Sequence, residues 1–274
     1  MTSVPFDAPK RPALRYHGGK FMLRKWIASY FPDHKVYVEP YGGAASVLLA
    51  KKRSYAEIYN DMDGEIVNFF RVLREHGNQL RQKLELTPFA RDEFMEAYEP
   101  SDGPLEQARR TAIKSFMGFG SNGIHRLTGF RSNSTKSGTT PAHDWVNYPG
   151  SLDAVISRLQ GVVIENRPAI DCMRYHDSPD TLHYVDPPYM HSTRSDKSHD
   201  YKHELDDDAH EELLNYLNNT SGMVVLSGYR SPMYDDMLST WTRIDKQTHA
   251  DGAKDRTESL WLSPNVAVDQ PILL

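Results

Sequence analysis

Short β-rich runs alternate with helical stretches along most of this chain, and that alternation favours an α/β fold around a mostly parallel sheet. The sharpest of these runs is Leu182-His183-Tyr184-Val185, which stops at Asp186-Pro187-Pro188-Tyr189. Proline cannot donate a ladder hydrogen bond, so two in succession end a strand and leave Asp186 and Tyr189 at its carboxyl end. The first proline also biases Asp186 towards extended backbone. Open α/β sheets bind their ligands beyond the carboxyl ends of strands. On these four residues alone, an ordinary strand-to-loop exit reads equally well.

A second run, Val36-Tyr37-Val38, ends at Glu39-Pro40 and passes through Tyr41-Gly42-Gly43 into the helix-favouring stretch 44–50. A strand, a small-residue turn and a helix start form a cradle in which backbone N–H groups approach a ligand closely. A third run, 56–59, ends at Asn60-Asp61. Asp61 lies 18 residues beyond Gly43, where an acid suits the two hydroxyls of a ribose. A structural Asp cap is the plain alternative. The turn lacks full GxGxxG spacing and a Walker lysine, which leaves an adenosine-bearing ligand other than a nicotinamide or triphosphate cofactor. The helix over 63–77 places Ile66, Phe69, Phe70 and Leu73 on one face, with Gly77 as its stop.

From about residue 80 to 159 the character changes. Helical stretches give way to a Gly-, Ser-, Thr- and Asn-rich tract that carries Phe119, Phe130, Trp145 and Tyr148. A structureless loop of that length inside a compact domain is improbable unless it is functional. Between 105 and 140, Arg109, Arg110, Lys114, Arg126, Arg131 and Lys136 face the single acid Glu106, a local +5 in a chain whose net charge is -5. A basic patch interleaved with aromatics suits contact with DNA; a solvated surface insertion would segregate charge in the same way. Beyond it come strand signals at 161–167, 181–189 and 222–229, and a helix over 206–219 with Asp206 or Asp207 as cap. The tail from 243 to 263 reads as further strands, an antiparallel edge.

The remaining bounds are brief. Of 274 residues, 39% are apolar and 11% aromatic, enough for one large domain or one domain with an insertion. No stretch has the length of a membrane span, and the charged, proline-interrupted start carries no signal-peptide core, so a cytoplasmic location is expected. The one cysteine, Cys172, rules out an internal disulfide and reads as a small buried hydrophobe. The 12 histidines show no zinc-enzyme spacing, and no metal is expected.

An exocyclic amine on a nucleobase is a poor nucleophile because its lone pair is delocalised into the ring. A catalyst must hold that nitrogen with acceptors while it pyramidalises. Asp186 supplies one acceptor, the Pro187 carbonyl a second, and Tyr189 an aromatic face for a flipped base. S-adenosylmethionine completes the pair, with a ribose for Asp61 and an electrophilic methyl on its sulfonium.

With these residues assembled, the chain resembles the Dam-like (D12, alpha) group of DNA adenine-N6 methyltransferases. The likeness covers nearly the whole chain and rests on ordered blocks: RYHGGKFML (15–23), VEPYGGAAS (38–46), YNDMD (59–63), ENRPAIDCM (165–173), DPPY (186–189) and RTESLWLS (256–263). The resemblance implies a Rossmann-like S-adenosylmethionine-dependent sheet from 1–78 and 160–274. Between them, 79–159 would be a mainly helical target-recognition insertion carrying a β-hairpin. It implies that Tyr16 and Lys20 line the cofactor site, Glu39 and Gly43 shape its methionine end, Asp61 holds the ribose, and Asp171 sits at the adenine. Asp186 would stand where cofactor and target amine meet. Arg126, Arg131, Asn133 and Lys136 are the candidates for DNA contact; Phe116, Phe119 and Phe130 read as core rather than as wedges between bases. One departure stands out: the group's loop usually reads Phe-x-Gly-x-Gly, and Ala45 occupies the second glycine position, where positive φ is unfavourable for Ala.

The expected partner is double-stranded DNA and the expected state a monomer. Cytosine-N4 and RNA amino-methylation would use the same acceptors; the block order favours adenine. A catalytically inactive DNA-binding protein would show an eroded DPPY block, which here is intact.

Overall fold

The computed structural model describes residues 8–132, 139–193, 202–249 and 255–266. Five strands run parallel: β1 (Val36–Glu39), β2 (Ala56–Asn60), β3 (Val162–Glu165), β4 (Thr181–Val185) and β5 (Met223–Gly228). β6 (Thr242–His249) and β7 (Asp255–Leu262) pair antiparallel, and β7 docks antiparallel on β5. The order across the sheet is β3-β2-β1-β4-β5-β7-β6. The chain therefore winds outwards from β1 to β3 and restarts beside β1 at β4. The reversal between β1 and β4 leaves a crevice at their carboxyl ends. β4, flanked on both sides, buries all five of its residues, as strands covered on both faces do.

Alternate residues feed two cores. Tyr37, Tyr184, Val225 and Leu260 belong to the larger core, which is covered by α2 (Ser46–Ala50), α3 (Gly64–Leu86), α5 (Pro104–Met117) and α6 (Pro141–Leu159). Val185, Leu226 and Trp261 face the opposite way, against α8 (Asp207–Asn218) and α9 (Pro232–Met237). On that side, Cys172 of α7 (Ala169–His176) packs against Val38 and Ile58. Burial pushes its thiol up to about 12, so it is no nucleophile. Asp206 caps α8 by accepting from Ala209 N at 2.9 Å. Two short helices, α1 (Arg24–Ala28) and α4 (Arg91–Glu96), complete the set used below. Among the described residues no helix is long and apolar enough to cross a membrane.

Three expectations need correction, and a fourth falls partly outside the described residues. α3 does not stop at Gly77 but continues to Leu86 through a kink at His76. Gly77 serves close packing instead, since a Cβ there would come within 2.7 Å of Ile156 on α6. Of the expected β-hairpin the described residues show one antiparallel bridge between Gly118 and Phe130, flanked by Phe119 N to Gly129 O at 2.7 Å and Arg131 N to Met117 O at 2.8 Å, while 133–138 lie outside them. The run of basic residues is not one basic surface. Arg109 pairs with Glu93 and Glu106 at 2.7 Å each, Arg110 with Glu96 and Glu106, and Lys114 with Glu65. Finally, Phe116 and Phe130 pack into the core as expected, but Phe119 is 74% exposed.

Candidate active site

A cavity of about 500 Å³ opens at the carboxyl ends of β1, β2 and β4. Tyr16, Lys20, Glu39, Gly43, Asp61, Asp171 and Asp186 all line it. Residues from five separate blocks thus converge, because β1, β2 and β4 hand their last side chains and the turns after them to the same crevice.

The glycine turn forms one wall. A Cβ on Gly42 would run into the Tyr59 ring, and one on Gly43 would meet Tyr16 at 3.0 Å. Gly43 has φ 45° and Ala45, the N-cap of α2, has φ 55° and ψ 27°. The alanine therefore adopts the left-handed conformation that its side chain disfavours, and the loop keeps the glycine geometry. Asp61 closes the turn: its Oδ2 accepts from Gly43 N and its Oδ1 from Asp63 N, both at 2.8 Å. Burial raises the Asp61 pKa.

Glu39 is almost fully buried. Its Oε2 accepts from the Tyr37 hydroxyl at 2.6 Å and from Leu48 N at 2.9 Å. Desolvation pushes its pKa up to about 8, against those hydrogen bonds, and so favours the neutral acid.

Asp186 sits at the floor. Its Oδ1 accepts from Ser227 Oγ at 2.8 Å and lies 2.9 Å from Lys20 Nζ. Lys20 is 7% exposed and also donates to Gly18 O at 2.9 Å. Its ammonium is 3.7 Å from the buried carboxylate of Glu258, which accepts a hydrogen bond from the Tyr189 hydroxyl. One cation thus serves a buried and a partly exposed acid, and burial raises the Glu258 pKa. The Asp186–Lys20–Glu258 cluster carries a formal charge of -1, complementary to a cationic ligand.

Tyr189 and Pro187 are placed differently from the expectation. Pro188, not Pro187, lines the cavity. The Tyr189 ring is 9% exposed, lies under the Lys20 ammonium at 4.7 Å and meets Tyr229 edge-on at 4.5 Å. It is not an open stacking face in this state. Asp171, more exposed than the other acids, pairs with Arg174 at 2.7 Å. Of the DNA candidates, Arg126 is exposed on the loop after α5. Arg131 is turned inwards, donating to Phe116 O at 2.9 Å. Asn133 and Lys136 lie outside the described residues. That loop reaches the cavity rim through His125, which meets the Tyr16 ring edge-on at 5.5 Å and lies 3.5 Å from Asp63.

Sequence reasoning assigned no role to Glu258, Ser227 or Tyr184. Glu258 had a local signal: a lone acid opening the apolar stretch Ser259-Leu260-Trp261-Leu262. Ser227 and Tyr184 had none, because their importance comes from the β4–β5 pairing.

No curated protein matches the chain. Residues 16–250 match the family described as D12 class N6 adenine-specific DNA methyltransferase. That span takes in the glycine turn, Asp61, Asp171 and the Asp-Pro-Pro-Tyr block together with the helices between them, and the chain belongs to the D12 class of N6 adenine-specific DNA methyltransferases.

Proposed function

We propose that the cavity binds S-adenosylmethionine and that Asp186 receives the adenine amine beside it, in a duplex held by the insertion 79–159. Membership of the family makes the chain an enzyme that methylates adenine N6 in DNA at specific sites; the donor and the residue roles are our reading. The observation that carries it is the convergence of seven residues, selected by chemistry and motif, on one cavity at the sheet's switch point. The site suits the donor in shape and charge. Its glycine wall admits no side chain at Gly42, and its floor has a net negative charge.

Bound there, the donor supplies a methyl group made electrophilic by a sulfonium. The chain supplies the rest. Asp61 has one backbone donor on each oxygen, which leaves each a lone pair for a ribose hydroxyl. Glu39, its pKa raised by burial, flanks the methionine end. At Asp186 both protein donors fall on Oδ1, so Oδ2 faces the amine as acceptor. It holds the nitrogen while the lone pair leaves conjugation and takes a proton from it once the new bond has formed. Stacking of the base on Tyr189 requires Lys20 to leave the ring. Extrusion of the base costs a few kcal/mol, offset by DNA contacts from Arg126, Asn133 and Lys136, with the inward-turned Arg131 bracing the loop through Phe116 O. The exposed Phe119 and Leu127 fit the apolar wedge that such a duplex needs. The enzyme acts as a monomer, in the cytoplasm with its DNA.

Calorimetry with S-adenosylmethionine tests this. Asp61→Asn should weaken binding by about tenfold or more, the value of a hydrogen bond to a charged group. Unchanged affinity would remove Asp61 from the ribose site.

A further inference from the structure

We propose that Glu165, Cys172 and His176 form a site for one divalent cation of the zinc class. They lie outside the cavity described above. Glu165 ends the edge strand β3, and Cys172 and His176 stand four residues apart on α7. That spacing puts them on one helix face, one turn apart. A carboxylate oxygen, the sulfur and a ring nitrogen all lie within 4.8 Å of one another, with His176 Nε2 3.2 Å from Glu165 Oε1.

The donor set determines the class of ion. Sulfur and imidazole nitrogen beside one carboxylate oxygen suit zinc or its borderline neighbours, whereas magnesium and calcium take oxygen. Three protein ligands leave a fourth, tetrahedral position for water. Cys172 is fully buried and forms the back of the site, while Glu165 and His176 are partly exposed and give the ion its path in. Arg167 Nε lies 2.9 Å from the other carboxylate oxygen, Oε2. It holds Glu165 in place and leaves Oε1 turned towards the histidine, as outer-shell partners of metal ligands do. On binding, the cation replaces the thiol proton, which goes to solvent, and the metal–sulfur bond forms in its place.

Cobalt titration of the reduced full-length protein tests the proposal. Cys172 is the only cysteine, so a thiolate-to-cobalt charge-transfer band has a single possible source. The band should saturate at one Co²⁺ per chain and disappear on addition of Zn²⁺. Cys172→Ser should abolish it. His176→Ala and Glu165→Ala should each weaken Co²⁺ by at least about tenfold, the lower end of what outer-shell partners alone contribute. Circular dichroism would establish that the variants remain folded, and His176→Ala keeps the test alive if Cys172→Ser does not fold. Absence of the band in the folded wild-type protein would overturn the proposal. So would a band that survives unchanged in both His176→Ala and Glu165→Ala, which would mark a thiol binding cobalt on its own.

Discussion

Ala45 holds a backbone conformation that alanine disfavours, at the second glycine position of the loop, and its cost is measurable against a neighbour. At φ 55°, ψ 27°, an L-residue loses about 1–2 kcal/mol relative to right-handed backbone. Ala45→Gly relieves that strain. It also removes a fully buried methyl, worth about 0.8 kcal/mol, and adds about 0.5–1 kcal/mol of unfolded-state entropy. The three nearly cancel, so the variant should lie within about 1 kcal/mol of the parent. Ala44, also buried, is not among the residues with positive φ. Ala44→Gly therefore carries both costs without relief and should lose about 1–2 kcal/mol. Urea unfolding of the two variants, each compared with the parent, reads the difference directly. Equal destabilisation of both would refute the assignment of strain to Ala45. A small gain at Ala45 would mean that the relieved strain exceeds the lost methyl burial and the added unfolded-state entropy together.

Other outcomes follow from the same site. Glu39, with its pKa raised to about 8, binds a proton in the native state that the unfolded chain releases near 4.5. Stability should therefore fall as pH rises from about 4.5 to 8, by up to about 1.4 kcal/mol per unit, and level off above. Glu39→Gln should flatten that slope in paired pH-dependent melts, and an unchanged slope would place the titration elsewhere. Lys20→Met leaves the buried Glu258 carboxylate without its cation, beside the partly exposed Asp186, and should cost about 3 kcal/mol in chemical denaturation; a loss below about 1 kcal/mol would mean that Glu258 is protonated or hydrated. Phe119→Ala should leave stability within about 0.5 kcal/mol while weakening duplex binding in fluorescence anisotropy. Unaltered DNA affinity would take the loop off the DNA.

The parts of the fold that were legible in the sequence were those with local causes. The strands end where Glu39, Asn60-Asp61 and Asp186-Pro187 said they would, because apolar runs and prolines act on their own backbone. Asp206 caps α8 through a bond three residues away. What failed was set by partners distant in sequence. Gly77 looked like a helix stop until Ile156 of α6 was placed against it. The basic run at 109–114 looked like a phosphate footprint because Glu65, Glu93 and Glu96 lie outside it. Tyr189 looked like an open platform because nothing in Asp-Pro-Pro-Tyr reveals Lys20 above it or Glu258 at its hydroxyl. Four of the seven cavity residues, Glu39, Gly43, Asp61 and Asp186, came out together for the opposite reason: each lies at a strand end or in the turn beside it, and sheet order brings strand ends to one crevice, where Tyr16, Lys20 and Asp171 of α7 join them.

The central claim is that Asp186 performs adenine-N6 methylation at this cavity. It is tested most directly by incubating the protein with methyl-labelled S-adenosylmethionine and unmethylated duplex DNA, then separating the nucleosides. Labelled N6-methyladenine should form with the wild-type protein and disappear with Asp186→Ala, while duplex binding by that variant stays intact. Near-normal turnover by Asp186→Ala, or label on cytosine instead of adenine, would contradict the account.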